Sequence, residues 1–270
     1  MPFVIQSKDN DKIKWAAKLV SQSRFRKESG LFVLEGLRLC LDAVATGRVP
    51  EAVFYTAGAA SREPALEQLF CLRECYEVSE SAFAKMSDTK SPQGVLCILK
   101  REEQAPFCPR PGDRYMLLEQ VQNPANLGAV ARTAEALGIT GLVVTGDGCD
   151  VTSPKAQRAA MGSLLRLPTF VVSSLDQPIA AMRCASLPVY AAVPGGGAAD
   201  VTECDFSHGA GVIVGNEANG LREQTIAACD GRITVPMRGR AESLNAAAAA
   251  AILMWEMVRP SLLREDGARP

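Results

Sequence analysis

The sequence predicts an α/β protein in two parts, the larger built on a parallel sheet, and three observations lead there. The chain has 270 residues, long for one compact domain and comfortable for two. Short apolar runs alternate along it with stretches of helical spacing. Residues 101–113, with Pro106, Pro109 and Pro111 among charged side chains, follow neither period and read as a linker. The expected organisation is therefore a domain over 1–100, a linker over 101–113 and a second domain over 114–270.

In the first segment Trp15, Ala16, Leu19 and Val20 have helical spacing, and Leu31–Leu34 is a short apolar strand. A helix is expected from Glu35 to about Gly47, with Leu37, Leu41 and Val44 on one face, followed by strands at Ala52–Tyr55 and Gly94–Leu99. In the second segment strands are expected at Tyr115–Leu118, Gly141–Thr145, Thr169–Val172, Val189–Val193, Gly211–Gly215 and Ile233–Val235, with helices between most of them. Such near-continuously apolar strands imply a parallel sheet covered on both faces. Ligands of such sheets sit beyond the carboxyl ends of the strands.

Composition removes several function classes. At 47% hydrophobic and 22% charged, with no apolar run near the ~20 residues that a membrane span needs, a membrane role is not expected. The N-terminus lacks the basic start and long apolar stretch of a secretory signal, which places the protein in the cytoplasm. Nine cysteines without a CxxC pair argue for reduced core thiols rather than a disulfide framework. His208 is the single histidine, so no Cys/His zinc site is expected and a histidine-based hydrolase would depend on that one residue. The net charge of −1 provides no global basic field, and any nucleic-acid contact must come from local patches.

Three constellations carry chemistry. Asn126 lies in a polar loop that runs into an Ala-rich helix, with Arg132 six residues further along it. Read alone, Asn126 is a helix N-cap and Arg132 a surface charge. The second, Gly215 to Gly220, breaks an apolar strand and brackets Glu217 between glycines, a pattern that lets backbone approach a ligand closely. Its spacing does not fit GxGxxG. The third runs from Pro236 through Gly239, Ser243, Leu244 and Asn245 into a run of alanines, with Ser243 as the natural N-cap. Near the N-terminus, Arg24, Arg26 and Lys27 form a local basic cluster suited to phosphate contact.

In this order and separation the three constellations resemble the signature motifs of the SpoU/TrmH family of RNA 2′-O-ribose methyltransferases, over residues 112–258. The segment around Arg24–Gly36 resembles the start of that family's substrate-binding domain. The resemblance implies a parallel sheet with a C-terminal trefoil knot, preceded by a small α/β RNA-binding domain. It implies S-adenosylmethionine as cofactor, bound near Thr145, Gly146, Gly215, Val235, Met237 and Leu244. It further implies a catalytic set of Asn126, Arg132, Glu217, Ser243 and Asn245, RNA contact through Arg24, Arg26 and Lys27, a homodimer, and no metal.

Under that resemblance Arg132 either takes the proton of the ribose hydroxyl or stays charged, grips a phosphate and stabilises the developing alkoxide. Asn126 would orient the ribose or its phosphate, and Glu217 would fix Arg132 or Asn126. Ribosomal RNA is the expected substrate, with transfer RNA as an alternative. A non-catalytic RNA-binding protein of the same fold is a further alternative. A nicotinamide-dependent Rossmann enzyme lacks its glycine fingerprint here.

Overall fold

The computed structural model describes residues 3–70, 74–195 and 197–265. Contacts divide the chain into two units. The first holds residues 1–103 with 150–165, and the second holds 104–149 with 166–270.

The first unit begins with β1 (Phe3–Ile5), α1 (Asp11–Ser21), α2 (Ser23–Ser29), β2 (Leu31–Glu35), α3 (Leu37–Ala45) and β3 (Ala52–Tyr55). It continues through α4 (Ala57–Arg62), α5 (Glu67–Phe70), β4 (Glu74–Val78), α6 (Glu80–Met86) and β5 (Val95–Lys100). The sheet order is β1-β4-β3-β5-β2, with β1, β4 and β3 parallel and β5 antiparallel to both its neighbours. Alternate side chains serve opposite faces. Val33 joins Ile13, Leu19 and Phe83 on one side, whereas Phe32 and Leu34 join Cys40, Ala43 and Leu69 on the other. The expected helix from Glu35 starts later, because Glu35 completes β2 and Gly36 turns the chain at φ 106°, a conformation open to glycine.

The second unit starts with β6 (Arg114–Leu118), α7 (Pro124–Ala136) and β7 (Gly141–Thr145). The chain then returns to the first unit for residues 150–165, which carry α8 (Pro154–Ala160) and most of α9 (Ser163–Arg166). Buried polar groups explain this excursion. Asp150 receives Arg26 Nη2 at 2.7 Å, Arg26 Nε at 3.0 Å and the Ser23 hydroxyl at 2.8 Å. Arg158 meets Asp88 at 2.6 Å and the buried Glu35 at 3.4 Å. The boundary expected from the linker alone takes no account of this segment, since its apolar and polar spacing resembles that of its neighbours.

The second unit resumes with β8 (Thr169–Val172), α10 (Asp176–Cys184), β9 (Val189–Ala192), β10 (Ala199–Asp200), β11 (Ala210–Val214), α11 (Glu223–Ala228), β12 (Gly231–Thr234) and α12 (Ala246–Glu265). All seven strands are parallel, in the order β10-β12-β9-β11-β6-β7-β8. Tyr115, Leu117, Val143, Val189 and Ile213 form one face of the core with Ile179 and Met182 of α10. No described helix is long and apolar enough to cross a membrane.

Candidate active site

The carboxyl ends of β12, β9 and β11, three neighbouring strands, open into a cavity of about 600 Å³. That volume falls within the roughly 300–1,000 Å³ usual for small-molecule and cofactor sites. Its walls combine apolar side chains (Ala192, Val193, Val214, Ile226, Val235 and Leu253) with the 215–221 loop, and the stretch Ser243–Ala246 closes one side.

The loop is closed on itself. Asn216 and Gly220 exchange backbone hydrogen bonds at 3.0 and 2.9 Å, and Asn216 Oδ1 accepts from the backbone N–H groups of Ala218 and Asn219. Gly215 is required by this closure: a Cβ there would stand 2.4 Å from the Gly220 carbonyl. The glycine therefore makes room for the protein's own backbone, where the sequence alone pointed to room for a ligand.

Glu217 projects from the loop toward α7. Its Oε1 accepts from Asn126 Nδ2 at 2.8 Å and from the Asn123 backbone N–H at 3.2 Å, and its Oε2 accepts from the Gln122 backbone N–H at 3.2 Å. Burial raises the carboxyl's pKa, but the hydrogen bonds from Asn126 and from backbone N–H groups outweigh it and hold the value below the ordinary range. Asn126 is buried and in turn accepts from Asn245 Nδ2 at 3.1 Å. One residue from each of the three constellations is thus joined in a single polar chain.

The helix caps differ from those expected. Asn123 caps α7, its side chain accepting from the Ala125 N–H at 2.9 Å with Pro124 at the first helical position, so Asn126 lies inside the first turn. Asn245, not Ser243, caps α12, accepting from the N–H groups of Ala247 and Ala248. Ser243 is exposed and lines the cavity. Arg132 is exposed on α7, and no described hydrogen bond or ion pair engages it.

Among the residues expected at a cofactor, Gly215, Val235, Met237 and Leu244 line the cavity, whereas Thr145 and Gly146 do not. Thr145 ends β7 and Gly146 follows it, and β6 lies between β7 and the strands that open into the cavity. Thr145 instead accepts the Gln120 backbone N–H at 2.8 Å, supporting a residue held at φ 53°, outside the regions that side-chain-bearing residues favour. His208 precedes β11 at its amino end, the end of the sheet opposite the cavity.

In the first unit, Arg24 and Lys27 are exposed, and Arg24 pairs with Glu28 along α2. Arg26 faces inward, 5% exposed, with its guanidinium engaged by Asp150 and by the carbonyls of Leu19 and Val20. The basic cluster is therefore split: two side chains face solvent and one holds the fold.

Sequence reasoning passed over Glu119, Asn216, Arg238 and Arg240. Glu119 is wholly buried directly after β6, and an acidic residue closing an apolar strand was the signal for it. Arg238 and Arg240 are exposed on either side of Gly239 and next to the cavity-lining Met237, with no described partner.

Both parts of the chain match known proteins. The model of the SpoU rRNA Methylase family matches residues 113–255, and that of the MRM3-like substrate binding domain matches residues 10–97. The chain is 32% identical to the 23S rRNA (guanosine(2553)-2'-O)-methyltransferase RlmP of Bacillus subtilis, covering 94% of this chain and 98% of that protein. It is 29% identical to the 23S rRNA (uridine(2479)-2'-O)-methyltransferase of Streptomyces viridochromogenes, covering 95% and 92%. Among solved structures, the SpoU methyltransferase AviRb from Streptomyces viridochromogenes in complex with AdoMet superposes with a TM-score of 0.85 at 28% identity, over 94% of this chain and 98% of that one. An AdoMet-bound rRNA methyltransferase from Sinorhizobium meliloti gives 0.84 at 29% identity, over 95% and 97%.

Proposed function

Because the chain belongs to the SpoU rRNA methylase family, we propose that it transfers a methyl group from S-adenosylmethionine to a ribose 2′-hydroxyl of large-subunit ribosomal RNA. The observation that carries this reading is the Glu217–Asn126–Asn245 chain, which joins α7, the 215–221 loop and the cap of α12 beside one cavity.

The residues present fit that cofactor. An amphipathic molecule with a purine at one end and charged groups at the other needs apolar walls next to polar backbone. Val235, Met237 and Leu244 would supply the first, and the 215–221 loop with Ser243 the second. When bound, S-adenosylmethionine supplies an electrophilic methyl carbon on a sulfonium. Asn126, whose amide is held from both sides, orients the ribose or its phosphate, and in-line attack requires the oxygen at roughly 3–3.5 Å.

Arg132 serves best as a charged group. A guanidinium keeps its proton, so Arg132 grips phosphate and stabilises negative charge developing on the ribose oxygen, while the hydroxyl's proton passes to a phosphate oxygen of the RNA or to water as the methyl leaves the sulfonium. Ser243 and Asn245 complete the polar wall. Arg24 and Lys27 bind RNA phosphate from the first unit. The reading takes residues 1–100 as the RNA-binding part and 114–270 as the catalytic part, with the family's trefoil knot at the cavity, in a cytoplasmic protein.

We also propose a homodimer. Ile252 and Trp255 are 38% and 47% exposed on α12, large apolar side chains on a helix that begins with six alanines. A second copy would cover them across an isologous interface.

The test uses purified protein with labelled S-adenosylmethionine and total RNA, intact ribosomal subunits included, from a strain lacking the gene. Label incorporated at one ribose of large-subunit RNA is the expected result. Label confined to transfer RNA, or to a base, overturns the assignment.

A further inference from the structure

Glu119 is wholly buried at the carboxyl end of β6, and it neither lines the cavity nor belongs to the Glu217–Asn126–Asn245 chain. A carboxylate removed from water is costly unless its oxygens are satisfied. These are. Oε2 accepts the Arg222 backbone N–H at 2.9 Å, Oε1 accepts the Arg222 Nε–H at 2.8 Å and the Thr225 hydroxyl, and the Arg222 Nη2 forms an ion pair with Oε1 at 2.8 Å.

The partners explain the use. Arg222 occupies the N-cap position of α11, but its own side chain makes no capping bond to the helix. Glu119 instead binds the N-cap residue's own N–H and the Thr225 hydroxyl from another element, and its negative charge lies at the end of the helix that the dipole favours. Next to Arg222 and Thr225 in the chain stand Leu221 and Ile226, and both line the cavity. The loop is therefore fixed twice: at its start by β11, where the Glu119 N–H donates to the Val214 carbonyl at 2.9 Å, and at its end by the Glu119 carboxylate.

We propose that Glu119 is a positioning residue for the cofactor site: by clamping Arg222 and Thr225 it holds the 215–221 loop and α11 where they shape the cavity wall, and so sets the affinity for S-adenosylmethionine. The proposal rests on the cofactor reading above. It concerns binding and not the chemical step.

The experiment measures S-adenosylmethionine affinity by calorimetry for wild type, Glu119→Gln and Thr225→Val, alongside the melting temperature of each protein without ligand. Thr225→Val removes one hydrogen bond while keeping the shape, and it remains informative if Glu119→Gln fails to fold. Losing a hydrogen bond to a charged group predicts affinity weakened roughly 10-fold or more in Glu119→Gln, and a smaller loss in Thr225→Val. The Michaelis constant for S-adenosylmethionine should rise while turnover at saturation and RNA affinity stay near wild type. Variants that melt earlier yet bind the cofactor like wild type assign Glu119 to the fold alone and overturn the proposal. Wild-type protein that binds no S-adenosylmethionine overturns the cofactor reading, and this one with it.

Discussion

Asn245 donates from its Nδ2 to the Oδ1 of Asn126 at 3.1 Å, joining side chains 119 positions apart. Because Asn126 also donates to Glu217, its amide has one orientation, with oxygen toward α12 and nitrogen toward the loop. One N–H and one lone pair of the amide have no described partner.

Asn126→Ala is expected to leave both neighbours short of a partner, at about 1–3 kcal/mol for unsatisfied buried polar groups. Methyl transfer should fall by at least roughly ten-fold at saturating substrates, while S-adenosylmethionine affinity stays within about two-fold. Asn126→Asp should be worse, since it sets a second carboxylate against Glu217. Single-turnover kinetics with parallel calorimetry would check both.

The Glu217 carboxyl titrates below its usual 4.5 in the folded protein. A lowered value means its contribution is fully present above the unfolded value and is lost as pH falls through the folded one. The stability of the protein without ligand, read as its melting temperature, should keep this contribution above 4.5 and lose it as pH falls through the lower folded value. In Glu217→Gln that decline should flatten. An identical profile in the two proteins would place the titration elsewhere.

The split basic cluster predicts two different phenotypes. Arg26→Ala should destabilise the first unit by about 3–5 kcal/mol, the cost of stranding a buried ion-pair partner. Replacing Arg24 and Lys27 together should leave melting unchanged and lower the salt slope of RNA binding by roughly 1.4–1.8. Chemical denaturation and filter binding at several salt concentrations separate the two effects.

If each active site is shared across the dimer, Arg132→Ala and Gly215→Val should complement one another. The first keeps a cavity without its arginine; the second distorts the loop, because a side chain at Gly215 meets the Gly220 carbonyl. Random pairing makes half of the dimers mixed with one working site each, so co-expression should restore up to about a quarter of wild-type activity. Inactive mixtures with tagged heterodimers present would assign Arg132 to the cavity of its own chain.

Much of the scaffold was legible in the sequence because its strands are apolar and its turns punctuated. The strands Gly141–Thr145 and Thr169–Val172 lie where their apolar runs put them. Strands of two or three residues, β10 and β1, are too short for periodicity to register, and β4 interrupts its pattern with Glu74 and Glu77. At the site, the family resemblance pointed to Asn126, Glu217 and Asn245, but which carboxylate meets which amide depends on chain segments 91 and 119 positions apart. Local composition likewise hid the burial of Arg26, whose partner Asp150 lies 124 positions away.

Residues 150–165 complete the first unit, and this ordering has a consequence for synthesis. A nascent chain leaves the ribosome from its N-terminus, and domains ordinarily fold as they emerge. Here the first unit cannot neutralise Arg26 until Asp150 is made, nor join Glu35 to Arg158 until eight residues later. By then the strands β6 and β7 have already emerged. The first unit can thus be completed only after part of the second has emerged, and a transplant of residues 1–103 into another protein would arrive with a buried arginine and no Asp150 to meet it.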